Sequence, residues 1–146
     1  MALAVIGTIG GGCYVGFNSL NAYAVSSRLY SEAQTCAQNQ IDLILSKEPF
    51  DPINNKVPAV LGGQVLAAGG STTVTTPNVF IYQDPVNGNV VVTGTMTTTI
   101  TNPGSTMTFA GATTNLNVYR ATVRVSYTFR STNYSVSMDT MRTADQ

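Results

Sequence analysis

No Asp, Glu, Lys or Arg occurs between Met1 and Ser27, and no proline occurs before Pro49. These two absences constrain the chain more than any other feature. The opening run, MALAVIGTIGGGCYVGF, is apolar or small at almost every position, and the stretch that follows, NSLNAYAVSSRLYSEAQTCAQNQIDLILSKEP, is amphipathic. Ala22, Val25, Leu29, Ala33, Cys36, Ala37, Gln40, Ile41 and Ile44 recur at spacings of three and four, which puts them on one face of a helix. Arg28, Glu32, Asn39, Asp42 and Lys47 face elsewhere. Pro49 ends the helix by driving its predecessor out of the α region, and Lys47 suits the carbonyl end of the dipole. A single helix from near Met1 to about Ser46 is about 70 Å long. A chain of 146 residues makes about one domain. No core of that size buries such a rod along its whole length, so one half must project.

The glycines of VIGTIGGGCYVG admit two readings. A dinucleotide-binding turn needs Gly at its first, third and sixth positions, followed by a helix and a second parallel strand. Counting from Gly7, the third position is Ile9, and no strand-helix-strand alternation follows. In a helix that meets lipid or other helices, small residues four apart let backbones approach closely. Gly7 with Gly11, and Gly12 with Gly16, keep that spacing. The residues expected to pack in a membrane or a helix bundle are therefore Leu3, Val5, Ile6, Gly7, Ile9, Gly11, Gly12, Val15, Gly16, Phe17 and Leu20. The strongly apolar part, Met1 to about Phe17, is slightly shorter than the ~20 residues that span a bilayer core. A secretory signal peptide is the competing reading, although the basic start and clean cleavage site of one are absent.

Beyond the helix, residues 49–78 hold four of the six prolines and read as a long loop, with AVLGGQVLAA as a short turn of helix. From Val79 the period becomes two. VFIYQ, the turn DPVNG and NVVVTGTMTTTIT read as a hairpin, and NPGSTMTFAGATTN reads as a loop. VYRATVRVSYTFR alternates cleanly, as does NYSVSMDTMR, and a turn at Ser131-Thr132 would pair the two strands. That register puts Arg124 opposite Asp139 as a cross-strand ion pair on the wet face. The helix–sheet core is expected to contain Leu29, Cys36, Ile44, Val123, Val125, Tyr127, Phe129, Val136 and Met138. The fold class is α+β: a long N-terminal helix packed by its C-terminal half on a four-stranded antiparallel meander. Residues 1–24 form the projecting part, and 25–146 the head, with helix to about 46, loop 49–78 and sheet 79–142.

Composition narrows the chemistry. Seven basic and seven acidic residues cancel, and charged residues are only 10% of the chain, which argues against a dedicated nucleic-acid binder. There is no His, so imidazole bases, catalytic triads and the usual zinc sites are missing. Glu48 and Asp51 flank Pro49 and read as capping and turn residues, and Asp84 with Asn87 as a hairpin turn. No catalytic, cofactor-binding or metal-binding residue is expected. Cys13 and Cys36 lie about 35 Å apart along one helix and cannot bridge within a chain. They are free thiols, packing residues or contacts between chains.

The apolar run MALAVIGTIGGGCYVGF, its continuation through NAYAVSSRLYSEAQTCAQNQIDLIL, the proline-rich connection and the meander ending in RATVRVSYTFRSTNYSVSMDTMR together resemble type IV pilin-like proteins. This family includes minor pilins and the pseudopilins of type II secretion. The resemblance spans the whole chain and implies a pilin-like fold and a non-catalytic structural subunit of a pilus-like filament or pseudopilus. It further implies a single-pass anchor in the bacterial inner membrane with the head in the periplasm, and an extracellular filament as a further destination. The implied partners are copies of itself, other pilin-like subunits and the membrane. No cofactor, small-molecule substrate or nucleic acid is implied. The family's basic leader and its Glu at the fifth mature position do not occur here, so the expectation is that the chain starts at an internal Met or is trimmed. The disulfide of many pilins is also missing, since neither Cys falls in the β region. Three alternatives stand beside this one. They are a monomeric, membrane-tethered periplasmic binding module, a minor pilin binding DNA through Arg120, Arg124, Arg130 and Arg142, and a secreted domain starting after about residue 24.

Overall fold

The computed structural model describes residues 2–145 except 55, 59–60, 64, 84–87 and 89–90; the side chains of 2–6, 8–9, 91, 109 and 115 also lie outside the description. One helix, α1 (Ala2–Ser46), is followed by strands β1 (Ser71–Gln83), β2 (Val91–Thr101), β3 (Thr106–Phe109), β4 (Ala112–Asn115), β5 (Val118–Phe129) and β6 (Thr132–Thr143). The four long strands form one antiparallel sheet in the order β1-β2-β5-β6, and β3 pairs with β4 as a separate small hairpin inserted between β2 and β5. This is an α+β meander with the C-terminal part of α1 laid across one sheet face, mainly against β5 and β6.

The helical stripe and the strand alternation meet in one core. Leu29, Ala33, Ala37, Ile41 and Ile44 of α1 are buried against Ile81, Ile100, Tyr119, Ala121, Val123, Val125, Tyr127 and Val136 of the sheet. Two alanines at the centre of the stripe bring the helix backbone close to the strands. Gln40, the polar member of the stripe, is also buried, and its Nε2 donates to Thr98 Oγ1 at 3.2 Å. That bond is what makes a polar residue tolerable there. Of the expected core residues, Leu29, Ile44, Val123, Val125, Tyr127 and Val136 are buried, and Cys36, Phe129 and Met138 are half-buried against them.

Two features of the strands differ from the sequence expectation. β1 begins at Ser71 rather than Val79, so the loop is shorter than residues 49–78. Pro77 conceals the strand because it lacks an N–H. It is accommodated because β1 is an edge strand whose pairing skips between Thr76 and Val79, with Asn78 at φ 58°. The stretch NPGSTMTFAGATTN is not a plain loop but carries β3 and β4, turned through Ala110 and Gly111. In AVLGGQVLAA, Leu61 lies in a 3-10 helical turn, in keeping with the short turn of helix expected there. There a tight turn from Leu61 N to Pro58 O (2.8 Å) leads Leu61 and Leu66 into the core. The DPVNG turn falls largely outside the described residues.

The helix ends at Ser46 without a basic residue in its last turn, Lys47 lying just beyond it. Its carbonyl end is met instead by Arg142 from β6. The guanidinium donates to Ile44 O and, at 2.7 Å, to Lys47 O, and it stacks 4.6 Å above the Phe50 ring. Asp145 holds it in place at 2.9 Å, accepts from Phe50 N at 2.6 Å and donates its own N–H to Phe50 O at 2.7 Å. The last residues of the chain thus clamp the exit of the first element.

Gly94 marks the closest approach within the sheet. A Cβ there would stand 2.6 Å from Ser126 O and 2.9 Å from Ile81 Cδ1. Gly94→Ala is therefore expected to cost about 1–3 kcal/mol, the usual range for overpacking, measured as a lower urea midpoint with unchanged slope. An unchanged midpoint would show that this crowding is easily relieved.

Candidate functional site

The surface without a partner in the chain is the N-terminal half of α1. Every described side chain from Gly10 to Asn21 is exposed, including Tyr14 (72%), Phe17 (75%) and Leu20 (68%), with Tyr23 (74%) beyond them. Of the residues expected to pack in a membrane or bundle, Gly7, Gly11, Gly12, Val15, Gly16, Phe17 and Leu20 are exposed on this rod. The side chains of Leu3, Val5, Ile6 and Ile9 lie outside the described residues. Among the described residues, no helix is long and apolar enough to cross a membrane.

The glycines of the rod have no task inside the molecule. A Cβ built on Gly7, Gly10, Gly11, Gly12 or Gly16 would meet nothing within 4 Å beyond the neighbouring helix backbone. Gly94 and Gly70, by contrast, face backbone atoms at 2.6 and 2.9 Å. Five glycines in a helix each cost roughly 1 kcal/mol relative to Ala in water, and here no internal contact offsets that cost. Cys13 is exposed in the same segment. Cys36 is half-buried, 3.4 Å from Phe80 O, and burial followed by the nearby Glu32 carboxylate pushes its thiol pKa up. The two do not bridge.

The arginines do not form one basic surface. The expected pair of Arg124 with Asp139 is not made. The β5–β6 turn falls at Arg130-Ser131, not Ser131-Thr132, so Phe129 pairs with Thr132 and the register slides by two residues. Asp139 stands opposite Thr122, which hydrogen-bonds it, and is reached by Arg120 at 2.9 Å. Arg124 stands opposite Ser137 and donates to Ser135 Oγ at 3.3 Å. Arg120 and Arg124 share the wet face, Arg130 sits in the turn, and Arg142 points inward. Residues of one parity on β6 face the helix, so the step from Met138 to Arg142 was the sequence signal for that inward position.

Of the remaining polar candidates, Glu48 is exposed and Asp51 has structural partners. Asp51 accepts from the N–H groups of Ile53 and Asn54, each at 3.2 Å, and from the Asn54 amide, which together close a turn. Asp84 and Asn87 lie outside the described residues. Among the described residues, no group of three His, Cys, Asp or Glu could hold a metal ion. Among the described residues, the buried hydroxyls of Tyr119 and Tyr127 meet no hydrogen-bond partner; the Tyr127 ring stacks on Tyr134 at 5.4 Å between centroids. Comparison with protein-family models, with curated proteins and with solved structures finds nothing that matches this chain.

The acidic network sets a pH dependence. The Arg142 guanidinium, then the Phe50 N–H, hold the Asp145 carboxyl below its ordinary range, and the Asn54 amide does the same for Asp51. Folded values below the unfolded ones give stability that is fully present above the unfolded value of about 3.9. That stability drains away as pH falls through the lowered folded values. Asp145→Asn is expected to lower the urea midpoint at neutral pH and to flatten its decline below about pH 4. A decline parallel to that of the parent protein would show that the Asp145 clamp contributes none of it.

Proposed function

We propose that this chain is a non-catalytic structural subunit of a type IV pilus-like filament or type II secretion pseudopilus. In this reading, α1 holds the subunit in the bacterial inner membrane before assembly, with the head in the periplasm. The same helix then packs among copies of itself or related subunits. The observation that carries the reading is the division of α1 into two halves. The C-terminal half is covered on one face by the sheet, while the N-terminal half is uncharged, exposed at its described side chains and supplied with five glycines that touch nothing. Small residues four apart serve close contact between helices, where packing and release from lipid drive association. A monomeric tether would leave that spacing without a purpose, and a helix about 70 Å long is far more than a head of this size needs for its own core.

A catalytic reading has less support. Asp51, Asp139 and Asp145 are each engaged by neighbouring donors, and the chain has no histidine. Nucleic-acid binding is likewise poorly supported, since Arg142 is spent on the helix end and Arg120 on Asp139.

Replacing Gly11 and Gly12 with Leu separates self-packing from simple tethering. The substitutions favour helix by roughly 1 kcal/mol each yet block close approach. The full chain in detergent or membranes is expected to associate into oligomers or filaments, seen by sedimentation and negative-stain imaging. The double variant should be more helical and markedly less associated. A parent chain that stays monomeric in membranes, or a variant that associates equally well, would contradict the proposal.

A further inference from the structure

We propose that Arg130, at the tip of the β5–β6 hairpin, is a docking contact for the headgroup phosphate of an anionic phospholipid. The inference rests on the membrane-resident helix proposed above. It begins with the turn. Phe129 pairs with Thr132, leaving Arg130 and Ser131 as a two-residue connection in which both residues have positive φ, 48° and 63°. Such turns favour Asn-Gly or Asp-Gly, because an ordinary side chain in the left-handed region costs about 1–2 kcal/mol. The other two-residue hairpin of this chain, β3–β4, places Gly111 at its second position, at φ 84°. The β5–β6 turn spends conformational energy to keep an arginine at its tip, and strain retained in this way points to use of the side chain.

Position supplies the second argument. Arg130 lines a shallow pocket together with Tyr14, Val15, Asn18, Ser19 and Ala22 of α1, at the level where the rod leaves the head. The first charge along the helix itself is Arg28, and Arg130 is the one charged residue that lines this pocket. From Asn18 back to Ala2 the helix runs about 24 Å, a large part of the ~30 Å hydrocarbon layer. Tyr14, Phe17 and Tyr23 are exposed around the same level, and tyrosines prefer the boundary between hydrocarbon and headgroups.

The third argument is that Arg130 has no polar partner among the described residues. Arg120 pairs with Asp139, Arg124 bonds Ser135, and Arg142 binds the helix end and Asp145. Arg130 has only the Phe129 ring, 5.5 Å from its Cζ. Among the described residues, no carboxylate or hydrogen-bond acceptor engages it. A planar guanidinium beside an uncharged stretch of helix suits bidentate recognition of phosphate.

The test is flotation of the full chain with phosphatidylcholine vesicles, with and without phosphatidylglycerol. The parent protein is expected to bind both and to prefer the anionic vesicles. Arg130→Gln should lose about fivefold of that preference, the effect of one basic residue at an anionic surface, while its binding to neutral vesicles is unchanged. Arg130→Lys should keep most of the preference, and Arg124→Gln all of it. Arg130→Asn, which suits left-handed backbone, should lose the preference while raising the thermal midpoint of the head. Equal binding of the parent to both vesicles, or full retention by Arg130→Gln, overturns the proposal and leaves the membrane reading intact. Loss of stability together with binding in Arg130→Asn would show a structural role for Arg130 and also overturn it. Failure of the parent to bind either vesicle would remove the membrane reading, and this inference with it.

Discussion

The structure depends on a mismatch of length. A helix of 45 residues meets a sheet whose strands have at most 13, and a strand residue rises only about twice as far as a helical one. The sheet can therefore cover little more than half of the rod. The helix places its apolar stripe, its two central alanines and its buried Gln40 in the covered half, and its five glycines and three of its four aromatic residues in the other. The two halves obey different rules. In the covered half, the buried residues pack against the sheet and the loop that follows the helix. In the exposed half, the five glycines meet no other part of the molecule among the described residues.

The head is built to hold the helix firmly at the end that stays with it. Arg142 satisfies carbonyls at the helix terminus that no intrahelical bond can reach, and Asp145 fixes that guanidinium while closing a backbone exchange with Phe50. The T-shaped contact of Phe50 with Tyr119 carries the clamp into the sheet. A rod gripped in this manner transmits any force on its free half to the core of the head. That mechanical coupling is what a subunit held through its first helix would need.

Much of this was legible in the residues, for identifiable reasons. The spacing of Leu29, Ala33, Ala37 and Ile41 has only one helical solution, and the alternation through β5 leaves one choice of buried face. The strand alternation puts the ion pair of Asp139 on the right face, but the expected register matches it with Arg124 in place of Arg120. Register depends on the turn, and Arg130-Ser131 carries none of the letters that mark a two-residue hairpin. β1 was cut short because Pro77 breaks the pattern, and only sheet order reveals that its missing N–H falls on an edge. The cluster of Phe50, Arg142 and Asp145 was not visible, because it joins residues more than ninety positions apart through a charged side chain turned inward. For the exposed half the structure adds to the apolar pattern only that the described side chains from Gly10 to Asn21 are exposed.

The central claim is that the N-terminal half of α1 is bare in the isolated molecule and becomes covered by lipid or sister subunits. Labelling of Cys13 with a water-soluble maleimide tests it directly, with half-buried Cys36 as the internal reference. Rapid labelling of Cys13 in dispersed monomers and strong protection in membranes or assemblies, with Cys36 little changed, is the predicted result. A Cys13 already protected in a water-soluble monomer would mean that the rod finds its cover inside the same chain, and would contradict the account.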